Sequence, residues 1–188
     1  WRAAGARGTS GVSGQRIGAP PIAAVLQDGV RRHFQHGPID LVLEAFGERS
    51  EGQAAYDQAW GRFKTVLDEL VSELPALRAP LGDSHAEVKG PVAREMVRAC
   101  AAHRGIFITP MAAVAGAVAD AVLAAMTTQR RLDKAYVNNG GDIALFLAPG
   151  QTLTTGLVTL GKRPALDGFS RIEASSPVRG IATSGWRG

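Results

Sequence analysis

The reading of the fold turns on Ile22–Phe46, "IAAVLQDGVRRHFQHGPIDLVLEAF". Two turn doublets, Asp28-Gly29 and Gly37-Pro38, cut it into three apolar-rich runs, each short enough for a strand. Glycine supplies backbone angles closed to other residues, and proline cannot donate to a sheet ladder, so each doublet reverses the chain. The stretch therefore predicts three short antiparallel strands in succession.

Working outward, the next segment, "SEGQAAYDQAWGRFKTVLDELVSELP" (50–75), changes period. Ala55, Ala59, Phe63, Val66, Leu67, Leu70 and Leu74 recur at helical spacing and make one apolar face. Ser50 and Gln53 have capping-box spacing, and Pro75 is expected to close the helix. A second helix is expected from Pro91, a favoured first position, to His103 or Arg104, with Gly105 as its stop. "IFIT" (106–109) reads as a short buried strand. A third helix, Met111–Met126, is built from small residues, which let a neighbouring backbone or a ligand come close. Strands are expected at 135–138, 142–147, 152–160 and roughly 169–183. The order predicts an α+β fold, a mainly antiparallel sheet with helices packed on it. Residues 22–188 are read as one domain. Residues 1–21, rich in Gly, Ala, Ser and Arg, are read as a disordered tail.

Composition narrows the function classes. The net charge is +4 over 188 residues and the pI about 9.7, which invites a nucleic-acid reading. The charge lies at the ends, however. Residues 1–27 hold three arginines and no acid, residues 162–188 hold five basic and two acidic side chains, and the middle is net negative. No basic stripe interleaved with aromatics appears, so no nucleic-acid partner is expected. The longest apolar run, Ile106–Met126, is interrupted by Pro110 and Asp120. It reads as a buried helix and not a membrane span, and no membrane partner is expected. The lone Cys100 excludes an internal disulfide, and no targeting signal is visible, so the expectation is a cytoplasmic protein.

Several apparent motifs fail on chemistry. "GLVTLGK" (156–162) has phosphate-loop spacing, but Arg163 stands where a metal-binding hydroxyl belongs and Pro164 spoils the following helix. His33 and His36 should point to opposite faces of a strand and cannot share a metal. His85 and His103 read as surface groups, and Cys100 as a core thiol. Three segments remain. In "TPMAAVAGAVAD" (109–120), Thr109 or Pro110 marks a strand-to-helix junction whose free amides suit a phosphate, and a tight helix–sheet contact explains the small residues equally well. In "VNNGGDI" (137–143), Asn138, Asn139, Gly140 and Gly141 make a tight turn and Asp142 lies at the sheet rim. A plain hairpin explains those four residues equally well. "SPVRGIATSGWRG" (176–188) adds Arg179, Arg187, Thr183 and Ser184 around a strand end, which on its own also reads as an ordinary exposed edge.

In this order the three segments resemble the ApbE-like superfamily, closest to its small, uncharacterised bacterial and archaeal branch labelled thiamine-biosynthesis-like. "QHGPIDLVLEAFG" is similar to that family's opening strands, so the resemblance covers about residues 30–188. It implies a domain binding a flavin nucleotide, FAD or FMN, or a related phosphate-bearing cofactor. In the transferase members, Mg²⁺ assists transfer of FMN to an acceptor protein. The implied cofactor contacts are Thr109, Met111, Ala112, Ala113, Asn138, Asn139, Gly140, Gly141, Asp142, Thr183 and Ser184, and the Ala115 carbonyl is the implied metal contact. The family's Gly-Gly-Ile-Ala-Lys-Gly is here Ala112-Ala113-Val114-Ala115-Gly116-Ala117. Its later Mg²⁺-binding segment would fall after Gly188, so the domain is expected to be truncated at its C-terminus. Two other readings stay open: a redox or other enzyme subunit using the same pocket, and a non-catalytic scaffold or homo-oligomer.

Overall fold

The computed structural model describes residues 18–82, 87–159 and 165–182. Three strands come first: β1 (Ile22–Val25), β2 (Arg32–His36) and β3 (Ile39–Gly47). Both predicted turns join them, with Gly29 and Gly37 at positive φ of 74° and 56°. Four helices follow: α1 (Arg49–Ser72), α2 (Leu74–Arg78), α3 (Pro91–Cys100) and α4 (Val114–Thr127). A 3₁₀ turn at Pro110–Ala113 leads directly into α4. The chain then returns through β4 (Leu132–Asn139), β5 (Asp142–Leu147), β6 (Thr152–Thr159), β7 (Ala165–Glu173) and β8 (Gly180–Ile181).

The described strands form a six-stranded sheet in the order β1-β2-β3-β4-β5-β8 and a separate β6–β7 ribbon. Every neighbouring pair is antiparallel. The fold is therefore α+β, as expected. β3 and β4 pair at the centre although all the helices lie between them in sequence, with Leu43 opposite Val137 and Ala45 opposite Ala135.

Alternation along the strands sends Phe34, Leu41, Leu43, Ala135, Val137 and Ala144 to one face, where they are buried. Phe63 and Val66 of α1 and Val118 and Val122 of α4 join them in one continuous core. Each large apolar side chain buried there contributes about 1.5–3 kcal/mol. On the opposite face, Leu145 and Leu147 of β5 pack with Ile172 of β7, so the ribbon covers one side of the sheet.

Local departures from the sequence reading have physical causes. The α1 cap is Glu48, whose carboxylate accepts from the amides of Ser50 and Glu51. Gln53, expected to close a capping box with Ser50, donates instead to Asp57. Pro75 opens the short α2, because proline is tolerated in a first turn. α3 ends at Cys100 and continues as a 3₁₀ turn to His103. "IFIT" is not a strand: Ile106 and Phe107 lie in an exposed bend. The segment expected at 169–183 is two strands, with the backbone turning at Ala174–Ser176. His33 and His36 do face opposite ways: His33 meets Asp40 at 3.0 Å, while His36 is buried against Phe63.

The stretch Pro110–Thr127 is long and apolar enough to cross a membrane by length and composition alone. Here Ala117, Val118, Ala119, Val122 and Met126 of that stretch are core residues. Residues 1–17, His85 and the 160–164 part of the dismissed phosphate-loop motif lie outside the described residues.

Candidate functional site

The site begins at the β4–β5 turn. Gly140 and Gly141 have φ of +61° and +102°, the left-handed pair a two-residue hairpin with right-handed twist requires. Asn138 Oδ1 accepts from the Gly141 amide at 2.9 Å and holds the turn in shape. Asn139, opposite Asp142 in the ladder, points to the helical face. Its Nδ2 donates to the Ala115 carbonyl at 3.1 Å. This bond ties the hairpin tip to the first turn of α4.

Beside that tie lies a pocket of about 230 Å³ walled by three elements. β5 supplies Asp142, Ile143 and Ala144; the β8 stretch supplies Gly180 to Ala182; α4 supplies Gly116 and Asp120. Gly116 and Asp120 are four residues apart and therefore share a helix face. A Cβ at Gly116 would meet nothing within 4 Å, so that wall is open. At Gly180 a Cβ would lie 3.3 Å from the Ile143 carbonyl, so glycine lets β8 close against β5. Burial pushes the Asp120 carboxyl above its ordinary value, and the nearby Glu95 adds to this while Arg98 opposes it. Two carboxylates and exposed backbone give the pocket an electronegative lining that suits hydroxyl groups or a cation.

The structure brings together Asp142, Gly116 and the backbone leading to Thr183, and adds Asp120, which the sequence reading did not select. The i, i+4 spacing from Gly116 was the signal available for it. Thr109, Met111, Ala112, Ala113, Asn138, Asn139, Gly140 and Gly141 do not line this pocket. Thr109 is extended and starts the Pro110 turn, as expected. The Ala112 amide donates to the Thr109 carbonyl and the Val114 amide to the Met111 carbonyl, so the amides expected to bind phosphate are partly used within the turn. Met111 and Ala113 pack on the core. Cys100 is buried, as expected, with its Sγ 3.6 Å from the Thr109 carbonyl oxygen, and burial pushes its thiol up. The Ala115 carbonyl, the implied metal contact, accepts the Asn139 bond. Among the described residues no three His, Cys, Asp or Glu side chains are placed to hold a metal together. Thr183 and Ser184 lie outside the described residues; Ala182, just before them, reaches the pocket.

A family model described as AbpE bacteria matches residues 23–188. The chain belongs to this AbpE bacteria family. The match corrects the resemblance drawn from the three short motifs: AbpE bacteria is a different family from the ApbE-like one, and nothing in the match relates the chain to FMN transferases. Short Gly-, Ala- and Thr-containing stretches recur wherever chains turn or helices begin, so three in order discriminate less than a match over nearly the whole chain. The AbpE bacteria match takes in every pocket residue and all of the fold from Ala23 onward. No curated protein matches the chain in sequence.

Proposed function

We propose that this chain is a small-molecule-binding domain whose ligand occupies the cleft between α4, β5 and β8. The observation that carries the reading is the meeting of Gly116, Asp120 and Asp142 around one pocket. Ligand sites favour such junctions, where a few polar groups converge on a concave surface. Asp142 is the contact for a ligand hydroxyl, such as that of a ribityl or ribose chain, and the open face of Gly116 admits a flat group beside the helix.

The ligand class proposed is a phosphate-bearing nucleotide, with FAD and FMN as first probes. A phosphate beside two carboxylates needs a counter-cation. Mg²⁺ is commonly held by one or two carboxylates together with water and substrate phosphate, and Asp120 and Asp142 fit that donor chemistry. The proposal is binding without group transfer. We place it in the cytoplasm, where an unpartnered cysteine such as Cys100 is at home.

Titrating the chain with FAD, followed by flavin fluorescence with and without Mg²⁺, tests this. Saturable binding that strengthens with Mg²⁺ and falls about ten-fold in Asp142→Asn is expected. Absence of saturable binding by FAD and FMN with Mg²⁺ present would sink the reading.

A second reading, self-association, has its own observation. All four residues of the edge strand β1 are exposed, and none carries a charge to discourage pairing. Sedimentation should then show a dimer that Val25→Lys disperses; a monomer at every concentration rejects it.

A further inference from the structure

We propose that the loop between α3 and the Pro110 turn is a docking surface for an anionic lipid membrane. Its tip, Ile106 and Phe107, enters the interface while a basic collar meets the headgroups. Phe107 is 82% exposed and Ile106 66%, two consecutive large apolar side chains in one bend. Scattered exposed apolar residues are ordinary; an adjacent aliphatic and aromatic pair at a loop tip is not.

The tip is also held in place. The Ile106 amide donates to the His103 carbonyl at 3.1 Å, and the Leu81 amide donates to the Ile108 carbonyl at 2.8 Å. The loop is thus fastened both to the end of α3 and to the segment that follows α2.

Charge indicates what covers it. From Val97 to Ala119 the sequence has no Asp or Glu but holds Arg98, His103 and Arg104. Between Glu73 and Asp83, Arg78 is the one charged side chain. Arg78, His103 and Arg104 are exposed, while Arg98 is engaged by Glu95. Exposed Arg78, His103 and Arg104, on the two segments fastened at the apolar tip, complement a negatively charged leaflet, to which each nearby basic residue adds attraction. The shape favours lipid over protein: a two-residue tip covers far less than the roughly 1,000 Å² that a specific protein interface needs. A few charges and one apolar tip give weak, reversible attachment. The sequence led to the expectation of no membrane partner; this proposal departs from it, since a docked loop needs no spanning helix.

The test is co-sedimentation of the full chain with vesicles of phosphatidylcholine alone or mixed with phosphatidylserine. Binding to the mixed vesicles only, weakened by added salt, is expected. Phe107→Asp should lower partitioning about ten-fold or more, and Arg104→Ala about five-fold. Both side chains are exposed, and unchanged circular dichroism checks that folding is untouched. No binding to mixed vesicles overturns the proposal, as does binding that both variants leave intact. A concentration-dependent dimer abolished by Phe107→Asp would assign the tip to a protein contact and overturn it as well.

Discussion

α1 and α4 lie on the same face of the same sheet and do different work there. α1 buries Tyr56, Phe63, Val66 and Leu70, with Trp60 stacked against Phe63 at 5.9 Å between ring centroids. α4 buries Ala117, Val118, Ala119 and Val122 and meets the sheet with little side-chain bulk. Where α1 covers β2 and β3, aromatic rings fill the space. Where α4 approaches β5, Gly116 and the small residues leave the pocket beside Asp142, and a second hollow of about 370 Å³ opens between α4, α3 and Arg62 of α1. One helix is bulk for stability, and the other is spacing for access.

The contrast can be broken first at Phe63. Phe63→Ala should cost about 3–5 kcal/mol, whereas Val118→Ala on α4 should cost about half of that or less. Urea unfolding reads both, and equal losses would mean that α4 carries as much of the core as α1.

Next is Tyr56, whose hydroxyl accepts from the Ala45 amide at 3.0 Å and donates to the Val30 carbonyl at 3.1 Å. Tyr56→Phe leaves the Ala45 amide without that partner and should cost about 1–3 kcal/mol in the same measurement.

Gly116→Leu sharpens the other side. It fills open space and replaces a poor helix former, so stability should hold or rise by up to about 1 kcal/mol. FAD binding should be lost, as read by fluorescence. A large loss of stability would show that the site is a packing position.

The smallest effect concerns Asp120. Its carboxyl is raised from 3.8 by burial, then by Glu95, so the folded state holds a proton that the unfolded chain releases. Its contribution is therefore fully present at low pH and is lost as pH rises through the folded value. Asp120→Asn should remove that decline, checked by thermal unfolding on both sides of the carboxylate range. Added Mg²⁺ should reduce the decline in the wild type if the cation lies beside this carboxylate.

The same contrast explains what the sequence made legible. Asp28-Gly29, Gly37-Pro38 and Gly140-Gly141 act locally, through backbone angles, so the hairpins could be read before any packing was known. Pro110 marked the start of its helical turn for the same reason. Ile106–Thr109 misled because an apolar, β-branched run records a preference for burial without recording whether a sheet edge is there to receive it. Glu48 displaced Ser50 as the α1 cap because it stands just before the first helical residue, Arg49, and its carboxylate reaches forward to the amides of Ser50 and Glu51, while Ser50 lies inside the helix. Asp142 was legible from its hairpin. Asp120 was not selected, because a carboxylate on a helix has an ordinary reading until the strand opposite is known. Family membership needed the whole chain.

The Tyr136 hydroxyl donates to Glu44 at 3.0 Å across 92 residues of chain. Burial, followed by that carboxylate, pushes the phenol up to about 12. This contact belongs to the β3–β4 seam, which joins the two ends of the sheet across the whole helical insert. Local hairpins can form in microseconds, but this seam must wait for a long loop to close. During synthesis, β1 to β3 therefore leave the ribosome with one flank of β3 unpaired, an adhesive edge until Leu132–Asn139 arrives. Refolding should accordingly be slow for a chain this rich in helix, with its rate set by contact order more than by helix propensity.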